Sequence, residues 1–559
     1  MPPQSRRYLA MLLLAMTCMQ RPLAGQAQSP AQPTPSLPSS GSSPEAQSVS
    51  ELRNTVINLL QGLVERGILT REQAQAMVRA AQEKAAADSA AAARQEQAET
   101  AAGAVRVPYV PQVVKEEISK QVAAQVTPQV TQQVVQQART ERWGVPAALP
   151  DWVQRLTFSG DVRVRGEGDV FAADNVYNTY PNFNAINAAG GITRAGQAAF
   201  LNTTINHYYL VGRVRLGLNA ELNSGWSIGA RLSSGNLTNP DSTNQILGQY
   251  GGRYQTDIDL AYLGWTGVSG SGWQQASFWG GKFPNPFLTS DIVWDTDVTF
   301  EGVAFGYRLD FSADDGAPQL FATLGAIPQQ YIALAHNQKW LYAGQLGMDL
   351  HPTEASRIRF GVAYYYYDHI HGIRNALNDN TYDYTAPVYV QKGNTMFDIR
   401  NDTDPTTDLF ALAADYHLLD GIVSADWLPT PGYRINLTAD WVRNVGFNQA
   451  AIEARTGTLV APRITAWQAE ASFGSDEPDH AHAWRTFVAY KFIQRDAVLD
   501  AFNDQDFHLG GTDAKGFLIG GDFWFTPFIW ARLRYISTNA IDGPPLGVDV
   551  WQFDLNGRF

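Results

Sequence analysis

Cysteine is almost absent from this chain: the single one, Cys18, lies in an apolar stretch close to the start. A disulfide scaffold and a cysteine-ligated metal site are therefore excluded. Long apolar runs are missing as well. After the first 27 residues nothing approaches the roughly 20 consecutive apolar residues that a membrane-spanning helix needs, so a helical membrane protein is excluded too. Basic excess is lacking where a nucleic-acid surface would need it. Residues 156–559 carry 26 Lys and Arg against 42 Asp and Glu, a balance of −16, which argues against a nucleic-acid partner.

What is present first is an export signal. Arg6 and Arg7 precede an apolar stretch at 8–17 that is too short to cross a bilayer, and Gly25-Gln26-Ala27 offers small residues at both recognition positions. The expected signal peptide is 1–27. Residues 28–49, rich in Ser, Pro, Gln and Ala, cannot bury a core and are expected to form a disordered tether. From 50 to 155 the pattern is helical. Leu52, Val56, Leu59, Leu60 and Leu63 recur at helical spacing, Gly67 closes that helix, and Thr70-Arg71-Glu72-Gln73 starts another. Val110, Val114, Ile118, Val122, Val126, Val130 and Val134 then follow at steps of four. Such a stripe drifts by about 40° per step on a straight helix, so the segment is expected to be only partly coiled-coil-like, with Pro128 interrupting it. A solvated spacer is the alternative for this segment.

Beyond 155 the period changes to two. In the last stretch Trp551, Phe553, Leu555 and Phe559 face one side while Gln552, Asp554, Asn556 and Arg558 face the other. Apolar residues on one face and charge on the other, repeated from 156 to 559, predict an all-β transmembrane barrel of antiparallel strands. Short turns and long connections alternate. Turns are expected at 223–225, 267–272, 312–317, 352–356, 429–432, 475–483 and 526–527. Long loops are expected to 206 and to 255, then at 284–297, 328–338, 369–408, 445–463, 496–515 and 539–548. These give about sixteen strands, the first at 156–166. The stretch 409–428 is too long for one strand. Assigning its first part to the fifth loop keeps sixteen, and splitting it gives the alternative, eighteen. At this size the interior is expected to be a water-filled channel.

Alternation places Arg163, Arg165, Arg213, Arg215, Arg231, Arg532, Arg534 and Arg558 on the inner face. Strands fifteen and sixteen close against strand one, so these are expected to form one pore-lining wall. The third loop carries Asp291, Asp295 and Asp297, and prolines fix its course. Folded inward, its carboxylates would face the arginines across water and act as a constriction. The bland alternative is that all of these are simply solvated positions in a polar interior.

Three segments resemble a family of bacterial outer-membrane proteins described as "putative porin". They are 58–77 with Gly67-Ile68-Leu69-Thr70-Arg71-Glu72-Gln73; 105–160 with Val107-Pro108-Tyr109-Val110-Pro111 and Leu149-Pro150-Asp151-Trp152; and Gly281-Lys282-Phe283-Pro284-Asn285-Pro286-Phe287 followed by Asp291 and Trp294. The resemblance implies a diffusion channel in the outer membrane of a Gram-negative cell, homotrimeric, passing small hydrophilic solutes or ions, and it brings no cofactor and no catalytic residue. The terminal Phe559 resembles the assembly signal read by the barrel-assembly machinery. Two other readings stay open: an anchor whose helical segment meets a cell-wall or periplasmic partner, and an enzyme on a barrel. His369, His371, His480 and His482 occur in pairs, yet no nucleophile motif accompanies them.

Overall fold

The computed structural model describes residues 151–559, apart from 236–238, 270–272, 313–315, 334, 336 and 478–479. The expected signal peptide, the tether and nearly all of the helical segment lie outside the described residues. Of that segment only the one-turn helix Asp151–Gln154 is described.

From there the chain forms a closed antiparallel barrel. Its strands are β1 Leu156–Phe171, β2 His207–Glu221, β3 Trp226–Ser234, β4 Thr256–Val268, β5 Gln274–Pro284, β6 Thr299–Asp310, β7 Gln319–Gln330 and β8 Lys339–Thr353. The second half comprises β9 Ser356–Asp368, β10 His417–Thr430, β11 Tyr433–Asn444, β12 Thr465–Ser475, β13 Trp484–Ile493, β14 Ala514–Thr526, β15 Ile529–Ala540 and β16 Gly547–Arg558. Each pairs with its neighbours in sequence, and β16 closes on β1 from Asp161–Arg558 to Phe171–Val548. Closure removes every sheet edge, which is the condition for strands to sit in lipid. The two-residue strand Gln245–Ile246 adds only a short pairing to β2.

The count is sixteen, and the long stretch at 409–428 is resolved by its two parts. Phe410–Leu412 pairs with Met396–Asp398 inside the fifth loop, and the barrel strand starts at His417. The first strand runs past its expected end at 166 to Phe171. Its register with β2 and β16 continues through Glu167 and Asp169.

Alternation governs exposure. Val162, Val164, Val214, Leu216 and Leu533 on the outer face are 44–53% exposed, although each lies mid-strand and is apolar. Their inner-face neighbour Arg165 is 1% exposed. Aromatic rings form two girdles on the outer face. Tyr342 and Tyr366, Trp467 and Tyr490, and Tyr535 and Trp551 pack together near the loop end. Trp226 with Trp265, and Tyr433 with Phe473 and Trp484, do so near the turn end.

The interior departs from the expected water-filled lumen at the loop end. Phe283, Ile292, Trp294, Phe300, Tyr365, Tyr416 and Leu418 are at most 2% exposed and belong to one apolar core built from inner-face and loop residues. Loops three, five and seven turn inward and bury their apolar side chains there rather than in water.

Candidate functional site

Loop three is steered inward by a glycine pair. Gly281 and Gly302 face each other across β5 and β6, with φ of 116° and 129°, a region that residues with a Cβ rarely adopt. Beyond them the hairpin leaves the wall. The ladder to β4 stops at Ala261–Lys282 and the ladder to β7 at Val303–Ala326, while β5 and β6 stay paired as far as Pro284–Thr299. A cavity of about 490 Å³ opens where the hairpin departs, lined among others by Asp257, Asp259, Lys282, Glu301, Asp297 and Asp500.

The loop then crosses to the far wall and is clamped there. The Gln345 side chain of β8 accepts from the Leu288 amide at 2.8 Å and donates to its carbonyl at 2.6 Å. The Ser290 hydroxyl donates to Asp440 of β11. Lys491 of β13, 1% exposed, holds Asp291 at 2.7 Å and also Asp504 of loop seven. Asp295 meets no cation among the described residues. It accepts from the Asp297 and Gln505 amides, and burial, with Asp504 and Asp297 close by, pushes its carboxyl well above the usual range. Asp297 alone reaches the arginines, at 3.0 Å from Arg215 and 3.5 Å from Arg213. That carboxylate touches the wall directly, with no water gap between, because the loop has already returned to the β2 side.

The arginines are themselves interleaved with acids. Arg163 lies opposite Arg213 on β2, and Arg165 opposite Asp554 on β16. Arg165 holds Asp554 at 2.6 Å, Asp506 of loop seven at 2.9 Å and Glu167 at 3.5 Å. Arg213 and Arg215 share Asp161 at 2.9 and 2.7 Å, and Arg231 pairs with Asp259 at 2.7 Å. Arg532 binds Asp522 at 2.6 Å, and Arg534 binds Asp506. Burial works against the Asp506 charge, yet Arg165, Arg534 and Arg163 hold its carboxyl far below the usual range. Arg163 forms no ion pair among the described residues and donates to Asn244 of loop two. Arg558 sits apart at the turn end, donating to the Pro527 carbonyl at 3.4 Å beneath the Trp530 ring.

Sequence reasoning set Asp554 on the inner face without giving it a role and missed the acids Asp161, Glu167 and Asp522 and the base Lys491, all of which share the inner parity of their strands. Counting acids along with arginines on that face would have found them. Asp506 lies in a loop without periodicity and had no such signal. Loop seven also locks onto loop five. Lys392, 4% exposed, donates to the carbonyls of His508 and Gly510, and burial lowers its amine to about 7.

Phe559 closes the seam. Its amide and carbonyl bond to Gly160 at 3.0 and 3.2 Å, and its ring covers Gly160 so closely that an added Cβ would lie 2.5 Å from it.

No curated protein sequence matches the chain. Among solved structures it is similar to OprB of Pseudomonas putida, with 12% identity, TM-score 0.40, and coverage of 75% of this chain and 97% of that one. It is also similar to a loop-deleted OmpT of Vibrio cholerae, with 11% identity, TM-score 0.36, and coverage of 72% and 99%. OmpF of Salmonella typhi, in complex with daunomycin, has 10% identity, TM-score 0.37, and coverage of 72% and 97%. The sequence itself matches the family described as "Putative porin" over residues 53–559, nearly the whole length, and the chain belongs to that family.

Proposed function

We propose that this protein is an outer-membrane channel for passive diffusion of small hydrophilic solutes or ions, exported through a cleaved signal peptide, trimeric, and without catalytic activity. The observation that carries this reading is a closed sixteen-stranded barrel, apolar outside and charged inside, crossed by its own third loop. An apolar belt between two aromatic girdles suits the strands to lipid, while the ionic interior suits them to hydrated solutes.

Selectivity then arises where Asp297 meets Arg213 and Arg215, beside the cavity lined by Asp257, Asp259 and Glu301. Because Asp297 neutralises the wall by direct contact, the field across the lumen comes from the whole mosaic of paired charges rather than from two opposed plates.

The test is planar-bilayer recording of the detergent-folded protein under a salt gradient. Stepwise conductance, closing in three equal steps, is expected, with a reversal potential that moves when Asp291, Asp295 and Asp297 are all changed to Asn. A correctly folded barrel that conducts nothing would refute the channel.

A further inference from the structure

We propose that the inner wall beneath loop three holds a divalent cation of the calcium class, bound between Asp420 of β10 and Asp440 of β11. The two side chains sit on the inner faces of adjacent strands, 1% and 2% exposed, and their carboxylates lie within hydrogen-bonding reach of one another. Neither takes part in any ion pair among the described residues. Both oxygens of Asp420 and Oδ1 of Asp440 have no donor, while Oδ2 of Asp440 takes the Ser290 hydroxyl, with the Ser290 and Trp441 amides alongside.

Two neutral oxygens complete the set. Gln468 of β12 stands directly opposite Asp440 on the same inner face, 3% exposed, and its Oε1 also lacks a partner. Tyr365 of β9, wholly buried, lies two residues from Ala363, the position facing Asp420, and its hydroxyl oxygen lies beside the Trp294 indole N–H. Carboxylate, amide and hydroxyl oxygens at neighbouring inner-face positions form a hard-cation ligand set. No group of three or more His, Cys, Asp and Glu residues suited to a metal occurs among the described residues, so the neutral oxygens are needed here.

A proton shared by the two carboxylates is the competing occupant. It would leave one negative charge buried and held by the Ser290 hydroxyl and the Ser290 and Trp441 amides alone, with no cation beside it among the described residues, which is costly. The nearest amine along the row is Lys491, two strands from Asp440 or roughly 10 Å away, and it already serves Asp291 and Asp504. A divalent ion neutralises both carboxylates and, through Ser290, fixes the tip of loop three to the wall.

The full-length protein folded in detergent is titrated with terbium(III), an oxygen-seeking calcium surrogate, with excitation of the tryptophans. Trp294 packs against Tyr365 with ring centroids 5.6 Å apart and is placed to sensitise emission. Saturable emission displaced by calcium is expected in the wild type, and loss of most of it in Asp420→Asn and in Asp440→Asn. A second measurement is the midpoint of heat-induced mobility change, which calcium should raise relative to EDTA in the wild type and not in either variant. Terbium emission equal in wild type and folded variants, or calcium-independent midpoints in all three, would overturn the cation and leave the shared proton.

Discussion

Asp297→Asn isolates the one carboxylate of loop three that contacts the arginine wall. In the wild type Arg213 and Arg215 are served by two carboxylates, Asp161 and Asp297. The substitution leaves one carboxylate for two guanidiniums and shifts the local charge by one positive unit. An ion passing about 5 Å away in water feels that change as about 0.8 kcal/mol. With a Debye length of about 10 Å at 0.1 M salt, about 0.5 kcal/mol of it survives, or roughly a twofold change in occupancy for each sign of ion. Cations become scarcer and anions commoner, so the cation-to-anion permeability ratio should fall about fivefold. The assay is reversal potential in a salt gradient, at low and at molar salt. The shift should shrink at molar salt and should be undone in Asp297→Asn/Arg215→Gln, which restores the charge balance. An unchanged ratio in a variant that keeps its heat-modifiable mobility would refute the placement of Asp297 beside the ion path.

Lys491→Met leaves Asp291 and Asp504 without their shared cation, and breaking such a buried pair costs about 3–5 kcal/mol. The midpoint of heat-induced mobility change should drop, and adding Asp291→Asn and Asp504→Asn should recover much of it. Asp500 of loop seven is 2% exposed, and burial raises its carboxyl from 3.8 to about 7. A carboxyl raised in the folded state contributes stability at low pH that is lost as pH rises from about 4 to about 7. Asp500→Asn should therefore gain on the wild type across that window, by at most about 4 kcal/mol, and hold a constant margin above it, as read by thermal unfolding at each pH. A margin that does not change with pH would show that Asp500 is not buried as described. Deleting Phe559 removes both backbone bonds to Gly160 at the seam, and export should persist while assembly falls, measured as the ratio of folded to unfolded barrel in membranes.

The barrel was readable because a strand with lipid on one side and water on the other writes its environment into every second residue. Val162, Arg163, Val164 and Arg165 carry that rule in four positions, and the seam from Asp161–Arg558 upward follows it in register. Inward-folded loops obey no such period. Nothing at the level of spacing distinguishes Asp295, buried against two backbone amides, from Asp297, held by two arginines, although only two positions separate them. Prolines in 284–286 announced a fixed course for loop three but not its direction, which depends on Gly281 and Gly302 meeting across the hairpin. The apolar residues of the loops were the remaining clue. Ile292, Val293 and Trp294 are too apolar for a solvated loop, and in a barrel whose outside is already lipid the place left to bury them is the lumen. An apolar run inside a long loop of such a barrel is therefore evidence for a loop that folds in, and the polar positions flanking that run, here Ser290, Asp291 and Asp295, are the ones to examine for the contacts that hold it there.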